Sequence, residues 1–524
     1  MYLSLDMGTS NTRLWLCDNN GVVATATAAF GAGSKKAIGK MRLFAELKNL
    51  IDTLLSDNSL SNDAISYILT AGMAGSELGL LDIPHICVPA DIYMLAEHLH
   101  KHTIPEITTI PFVFVPGLKK AKGDMLEDIM RGEETESVGI WNALPVEEDS
   151  VLVLPGTHNK VIHLRIDGTI TDFYTTFSGE LLNNIIANSI LSGQVTHTFE
   201  ISEVYVLRGA AYAQENGLNA ALFHIRVMAK NALDKDSLSS FLYGCIIGQD
   251  TERILKFAAG KPIFIGGRSA LKQVYHILLG ERSIPLADDI SANAVNKGLS
   301  AVHRLYQTRQ RRSAVLQSIE EEKLIAIVRN PDIKSFLPAM QALYRGGIRL
   351  AEITFDRSGN VPKEYTAQLI RLLNQQLPMI VGAGTVTEKE EVMLAYNAGA
   401  SYIISPNCDP EIIRFTQQLG MVSIPAAFTP TEIVSAIKSG ADYVKLFPAD
   451  QLSESYIKSV KAPLPDAKLL AVGGVNKGNA GTFIRQGFSG VGVGSNLYDK
   501  KLIAHGDWSK LETLARAYVS AIKA

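Results

Sequence analysis

The sequence predicts two α/β units in series: a two-lobed unit over residues 1–304 and a parallel (β/α)8 barrel over 321–524, joined by a linker over 305–320. Three observations carry this expectation. A strand–turn–strand phrase that begins at Tyr2 returns at Val151, which implies two similar lobes facing each other. From Leu324 onward, eight short apolar strands alternate with amphipathic helical stretches, the pattern of a parallel sheet buried on both faces. Between the two patterns, Val302 to Ser313 is a short basic run that reads as a helical end and connector.

Composition narrows the class of function. A chain of 524 residues is too long for one ordinary domain, and 47% hydrophobic content allows large cores. The formal net charge is −3, so no basic excess points to nucleic acid. Cys17, Cys87, Cys245 and Cys408 are scattered without metal-ligand spacing, which suggests a reducing, cytoplasmic compartment and no zinc site. The N-terminal stretch does not read as a signal peptide, and no apolar run reaches the ~18 residues a membrane span needs.

In the first unit, Tyr2 to Met7 runs as a strand into a Gly8-Thr9-x-Asn11 turn, and Val151 to Leu154 runs into Gly156-Thr157-x-Asn159. Each copy continues as a meander through an Asp-containing turn, Asp18 to Gly21 and Asp167-Gly168. Such turns present backbone N–H groups and a hydroxyl, which can hold a phosphate chain between the lobes. Asp6 ends the first strand at that cleft and is a candidate for Mg²⁺, an ion that takes one or two carboxylates together with phosphates. No Gly-Lys-Ser/Thr P-loop occurs in this unit.

The expected barrel strands are Leu324–Arg329, Arg349–Phe355, Met379–Gly382, Tyr402–Ser405, Met421–Ile424, Tyr443–Phe447, Lys468–Val472 and Gly490–Val493. Chemistry in such a barrel gathers at the C-terminal ends of strands. That rule selects Arg329, Glu352, Thr385, Pro406, Lys445 and Phe447, together with Gly473, Gly474, Gly494 and Ser495. The Gly473-Gly474 and Gly494-Ser495 pairs follow the last two strands and suit a phosphate cradle. Lys445 sits among apolar and aromatic neighbours, where desolvation favours the neutral amine that attacks a ketone to form a Schiff base. Glu352 would point inward beside it and shuttle protons.

Asp6-Met-Gly-Thr-Ser-Asn-Thr-Arg13, Ala71 to Gly79, Met130-Arg-Gly-Glu-Glu-Thr135, Leu154 to Lys160, Ser178 to Leu181 and Phe264 to Ser269 resemble, in order, the motifs of the 2-dehydro-3-deoxygalactonokinases. These belong to the sugar-kinase branch of the actin/hexokinase superfamily. The resemblance implies an actin-like, ribonuclease H-like fold and ATP- and Mg²⁺-dependent phosphorylation of a sugar-acid hydroxyl. Gly8, Thr9, Asn11, Arg13, Gly156, Thr157, Asn159 and Lys160 would then serve nucleotide and phosphate, with Gly266 and Gly267 at the adenosine. Arg131 would serve the sugar acid. Phosphoryl transfer needs a carboxylate to orient or deprotonate the hydroxyl. Glu133 and Glu134 are the candidates, with Asp128 behind them, and spacing does not choose among them.

Ala351 to Phe355, Val381 to Thr385, Ile404 to Asn407, Val444 to Pro448 and Ala471 to Val475 resemble the motifs of class I 2-keto-3-deoxy-6-phosphogluconate and 6-phosphogalactonate aldolases. The resemblance implies an imine between Lys445 and the C2 ketone, proton transfer by Glu352, and no metal. Arg329 and Thr385 would meet the substrate carboxylate and polar groups, and Gly473, Gly474 and Ser495 the phosphate. It also implies a homo-oligomer, with a trimer through the barrel. The gluconate-type enzymes tend to carry Arg where this chain has Asp356 and Thr where it has Val472. Val472 resembles the galactonate type. Asp356 leaves the carboxylate contact to Arg329 or Arg357. The rival readings are the same two steps on the gluconate epimer, or an aldolase fused to a non-catalytic ATP-binding module.

Overall fold

A computed structural model describes residues 1–33, 39–123, 125–144, 147–267 and 270–523. They form two compact units, Met1–Leu305 and Tyr306–Ala524.

The first unit holds two sheets of one plan. In the six-stranded sheet the order is Gly21–Ala28, Thr12–Asp18, Tyr2–Met7, Ile68–Gly72, Phe112–Phe114, His100–His102. The first three strands form an antiparallel meander, and Ile68–Gly72 and Phe112–Phe114 then run parallel to Tyr2–Met7. The five-stranded sheet repeats this with Ile170–Thr176, Asn159–Leu164, Ser150–Leu154, Ile263–Ile265 and Ser283–Pro285. Tyr2–Met7 and Ser150–Leu154, each central in its sheet, are buried at every position, as their apolar runs require. The hairpin turns close through aspartate side chains: Asp18 Oδ1 accepts from the Asn20 and Gly21 N–H groups at 2.7 and 3.0 Å, and Asp167 Oδ1 from Thr169 N–H at 3.0 Å.

The second unit is a nearly closed parallel barrel. Its strand segments run Val422–Ile424, Tyr402–Ile404, Ile380–Gly384, Leu350–Thr354, Leu324–Val328, Gly490–Val493, Leu469–Val472, Val444–Leu446, Ala426–Ala427. The two ends of this order are separated in sequence by Pro425 alone, which has no N–H and splits one strand into two pieces. The Pro425 carbonyl still accepts from Lys445 N–H at 2.9 Å. Seven expected strands enclose seven of the observed segments, Ala426–Ala427 lies in none of them, and Ile380–Gly384 runs two residues beyond its expected end. That extension pairs Thr354 with Gly384 in the ladder.

The stretch expected as a linker lies inside one helix, Asp288–Glu322, that crosses the unit boundary. Val315 and Ile319 are 6% and 1% exposed and pack with Ile325, Leu350, Tyr402, Ile404, Tyr443 and Leu470, the inward-facing layer of the barrel. Val315 and Ile319 therefore cover the end of that apolar layer, which an open barrel end would leave wet. No helix of the described residues is long and apolar enough to cross a membrane.

Candidate functional site

In the first unit, the two Gly-Thr turns reach one cavity of about 780 Å³, lined by Asp6, Gly8 to Arg13, Thr27 to Ala29 and Thr157. Each turn is backed by a glycine. A Cβ on Gly31 would lie 2.4 Å from the Gly8 carbonyl oxygen, and one on Gly179 would lie 1.8 Å from that of Gly156. The turns close differently. Gly8 N–H donates to the Asn11 carbonyl at 2.9 Å, whereas Gly156 N–H donates to the Asn159 side chain at 3.0 Å. Asn159 is fully buried, and its amide donates to Tyr275 Oη at 2.8 Å. The Tyr275 hydroxyl donates on to Asp250 at 2.6 Å, and Asp250 also accepts from Thr176 and Ser178. Asn159, expected at the phosphate, instead holds the loop that Thr157 presents.

Asp6 is 9% exposed, and Oδ2 accepts two bonds from Arg13, at 3.1 and 2.5 Å. Burial pushes its carboxyl up and Arg13 pulls it down. With Thr9, Ser10 and Thr157 the cavity offers hard oxygen donors, which suit Mg²⁺ carried on phosphates. Among the described residues no three His, Cys, Asp or Glu side chains converge on a metal, so phosphate oxygens would have to complete its shell. Lys160, expected at phosphate, is 6% exposed and donates to the Ile129 carbonyl and Thr175 Oγ1 at 2.7 and 2.6 Å. Gly266 and Gly267 follow the Ile263–Ile265 strand, and Gly267 needs its glycine at φ 83°. Neither lines the cavity, and Arg268 and Ser269 of the same motif lie outside the described residues.

The acidic motif opens the helix Glu133–Trp141. Glu134 is fully buried and accepts from Gly132 N–H at 2.7 Å and from the Thr135 hydroxyl at 3.0 Å. Burial and Glu133 push its carboxyl up to about 7. Glu133 accepts from Arg131 N–H at 3.0 Å, and the charges it feels are those of Lys160 and His158 in the second lobe. Asp128 is taken up by the Thr175 N–H and hydroxyl at 2.6 and 2.7 Å. Glu133 and Glu134 thus each accept from the backbone two residues earlier, and Asp128 serves Thr175; Glu133 differs in feeling the charges of Lys160 and His158. Glu136, one position past the motif, was not singled out from the sequence. Burial, then Glu133 and Asp6, push its carboxyl up to about 8. Its place in the same acidic first turn was the signal available. Arg131 is 9% exposed, donates to the Ile83 carbonyl at 2.5 Å and lies 3.2 Å from His85. Burial, then Arg131, holds His85 down at about 4, so the imidazole stays neutral.

In the barrel, Tyr443 and Leu350 belong to the inward-facing layer. Side chains alternate along a strand, so Lys445 and Glu352, two residues further on, face the same way. Lys445 is 7% exposed and Glu352 is 2% exposed. Burial lowers the lysine below its ordinary range, Glu352 pulls it back up and Arg329 lowers it further. Burial raises Glu352, against Lys445 and Arg329. Among the described residues, Glu352 Oε2 is buried without a hydrogen-bond partner. The Lys445 ammonium nitrogen sits 4.9 Å from the centroid of the Phe447 ring.

Arg329 connects this pair to a cavity of about 310 Å³ that it lines with Phe447, Gly473, Gly474, Ser495 and Lys500. Gly473 and Gly474 turn the backbone there at φ 95° and 67°. Thr385 and Pro406 stand at neighbouring strand ends outside this lining. Asn496, Tyr498 and Lys500 also line the cavity and were missed. The only sequence signal was their place just after the last glycine turn. Arg357, one possible carboxylate contact, is engaged with Thr385 and Glu391, which leaves Arg329 as the arginine beside Lys445.

Known proteins match the two units separately. The family model for 2-keto-3-deoxy-galactonokinase matches residues 6–302, and that for KDPG and KHG aldolase matches residues 315–514. The 2-dehydro-3-deoxy-phosphogluconate aldolase of Haemophilus influenzae is 30% identical over 220 residues, 42% of this chain and 99% of that protein. The 2-dehydro-3-deoxy-6-phosphogalactonate aldolase of Escherichia coli is 35% identical over 145 residues, 28% of this chain and 71% of that one. The 2-dehydro-3-deoxygalactonokinase of Escherichia coli is 25% identical over 264 residues, 49% of this chain and 82% of that one. A duplicated turn around one polar cavity and a buried lysine–glutamate pair inside a parallel barrel are thus joined in one polypeptide, and the chain belongs to the 2-keto-3-deoxy-galactonokinase family in its first unit and to the KDPG and KHG aldolase family in its second.

Proposed function

We propose that the chain phosphorylates 2-dehydro-3-deoxy-D-galactonate at O6 with ATP and cleaves the 6-phosphate to pyruvate and D-glyceraldehyde 3-phosphate. The observation that carries this is the Lys445–Glu352 pair on the inner face of the barrel, beside a cavity suited to phosphate. Lys445 attacks the C2 ketone as the neutral amine, and the carbonyl oxygen leaves as water. Glu352 takes the proton of the C4 hydroxyl as the C3–C4 bond breaks, and the iminium receives the electron pair. The aldehyde leaves with its phosphate, and protonation at C3 followed by hydrolysis releases pyruvate. The cradle of Gly473, Gly474 and Ser495 holds the phosphate that the first unit installs.

The first unit takes the actin-like, ribonuclease H-like form, whose twin meander sheets face a nucleotide between them. When bound, Mg²⁺ offsets charge on the ATP phosphates near Asp6. The chain's own turns, Gly8 to Arg13 and Thr157, orient those phosphates, and Glu133 accepts the proton of the sugar-acid hydroxyl. The galactonokinase family over residues 6–302 favours the galacto epimer for both steps. The gluconate epimer is the second reading, favoured by the Haemophilus influenzae relative that the barrel matches.

The test supplies the unphosphorylated keto acid with ATP and Mg²⁺ and follows ADP and pyruvate. Both should appear with the galacto acid. Asp6→Asn should stop pyruvate formation from that acid while sparing cleavage of the ready-made 6-phosphate. Faster turnover of the gluco acid would replace the epimer, and loss of both activities in Asp6→Asn would overturn separate sites.

A further inference from the structure

At the barrel mouth, Thr385 carries a backbone φ of 60°. A β-branched residue in the left-handed region is strained, and persists only when its surroundings hold it there. Those surroundings are specific. The Arg357 guanidinium donates to the Thr385 carbonyl and, at 2.6 Å, to Glu391. Glu391 is fully buried, pairs with Arg357 and accepts from Thr387 N–H at 2.9 Å. Arg357 therefore grips both ends of the short turn that carries Thr385. Asp356 beside it folds back on its own loop, accepting from Asn330, Ser358, Asn360 N–H and Val361 N–H. That leaves the Arg357 side chain directed at the next strand end.

The turn matters because of what precedes it. Gly384 abuts the acid–base carboxylate so closely that a Cβ there would lie 1.8 Å from Glu352 Oε1. A shift of the 384–387 backbone is thus a shift of the wall against which Glu352 rests.

We infer that Arg357, braced by Glu391, is a positioning residue for cleavage: it holds Thr385 in its strained conformation and so sets both the Thr385 hydroxyl and the wall behind Glu352. The inference rests on the aldolase reading above. A wild-type chain that failed to cleave the 6-phosphate would sink that reading itself, before any variant was compared.

The experiment uses the full chain, with its kinase activity as an internal check of folding. Arg357→Met strands a buried carboxylate and lowers stability on that ground alone, so the double variant Arg357→Met/Glu391→Leu removes both charges together. Three readouts are taken: kcat and KM for the 6-phosphate, half-saturation by pyruvate in exchange of its C3 hydrogens with solvent, and inhibition by glycerol 3-phosphate. The double variant should melt close to wild type. It should nevertheless raise KM and the pyruvate half-saturation by about tenfold or more, as expected for a misplaced contact. Inhibition by glycerol 3-phosphate, which needs only the phosphate cradle, should stay within about twofold. Arg357→Lys, which keeps the charge but loses the fork, should fall between. Wild-type KM in both assays for the double variant would overturn the inference. So would an equal loss of glycerol 3-phosphate binding, which would mean that the barrel mouth had merely loosened.

Discussion

Replacing Gly384 with alanine puts a methyl group where the carboxylate of Glu352, the proposed acid–base, now lies. The new Cβ would stand 1.8 Å from Oε1, 2.4 Å from Cδ and 2.5 Å from Cγ of Glu352. All three are far inside contact distance, so the Glu352 side chain must leave its position. It has little room to do so: it is 2% exposed, and the neighbouring Tyr402 ring is fully buried, with its hydroxyl bonded to the Ala351 carbonyl at 2.7 Å. Overpacking of this kind costs about 1–3 kcal/mol of stability, which a well-packed barrel survives. Losing a positioned acid–base lowers a rate by about 10²–10⁴. At about 1.4 kcal/mol per decade, that adds roughly 3–5.5 kcal/mol to the barrier. The expected outcome for Gly384→Ala is therefore a folded chain that makes ADP at the wild-type rate yet releases pyruvate at least about 10²-fold more slowly. The assay couples pyruvate to lactate dehydrogenase with the 6-phosphate as substrate, and borohydride with pyruvate reports whether Lys445 still forms its imine. Wild-type kcat in Gly384→Ala would refute the placement of Glu352 against this strand.

Further outcomes follow from the same geometry. Glu133→Gln should lower kinase kcat by about 10² or more, while Glu134→Gln should chiefly lower the melting temperature, because Glu134 serves buried backbone and hydroxyl donors. Glu352→Gln removes the carboxylate that raises the Lys445 pKa, so the acid limb of pyruvate-dependent borohydride trapping should move to lower pH; an unmoved limb would contradict their coupling. Ile319→Ala should cost the barrel about 2–5 kcal/mol and shift the urea midpoint for pyruvate production, leaving that for ADP production in place.

Much of this architecture was legible because its signals are local. Apolar runs punctuated by glycine and proline mark the barrel strands in order, and Lys445 and Glu352 follow from their positions near strand ends. The repeated Gly-Thr phrase likewise foretold a repeated sheet plan. The site was less legible where two residues are adjacent in sequence. Glu133 and Glu134 share a helix turn and each accepts from the backbone two residues earlier; only the charges around them differ, Lys160 and His158 acting on Glu133 and Glu133 itself on Glu134. Asn159 and Lys160 look like ligand residues in a motif, yet both are spent on holding their loop and strand.

The existence of the barrel strands and the place of Lys445 near a strand end were set by chain-local chemistry, since continuous apolar runs and turn residues act over a few neighbours. Tertiary structure alone decided that Val315 and Ile319 pack on the inner layer of the barrel, that Gly384 makes space for a carboxylate, and that Arg357 reaches Glu391. Periodicity says which side chains share a face. It does not say what lies across from that face, and there the free energy of a buried charge or a crowded methyl is settled.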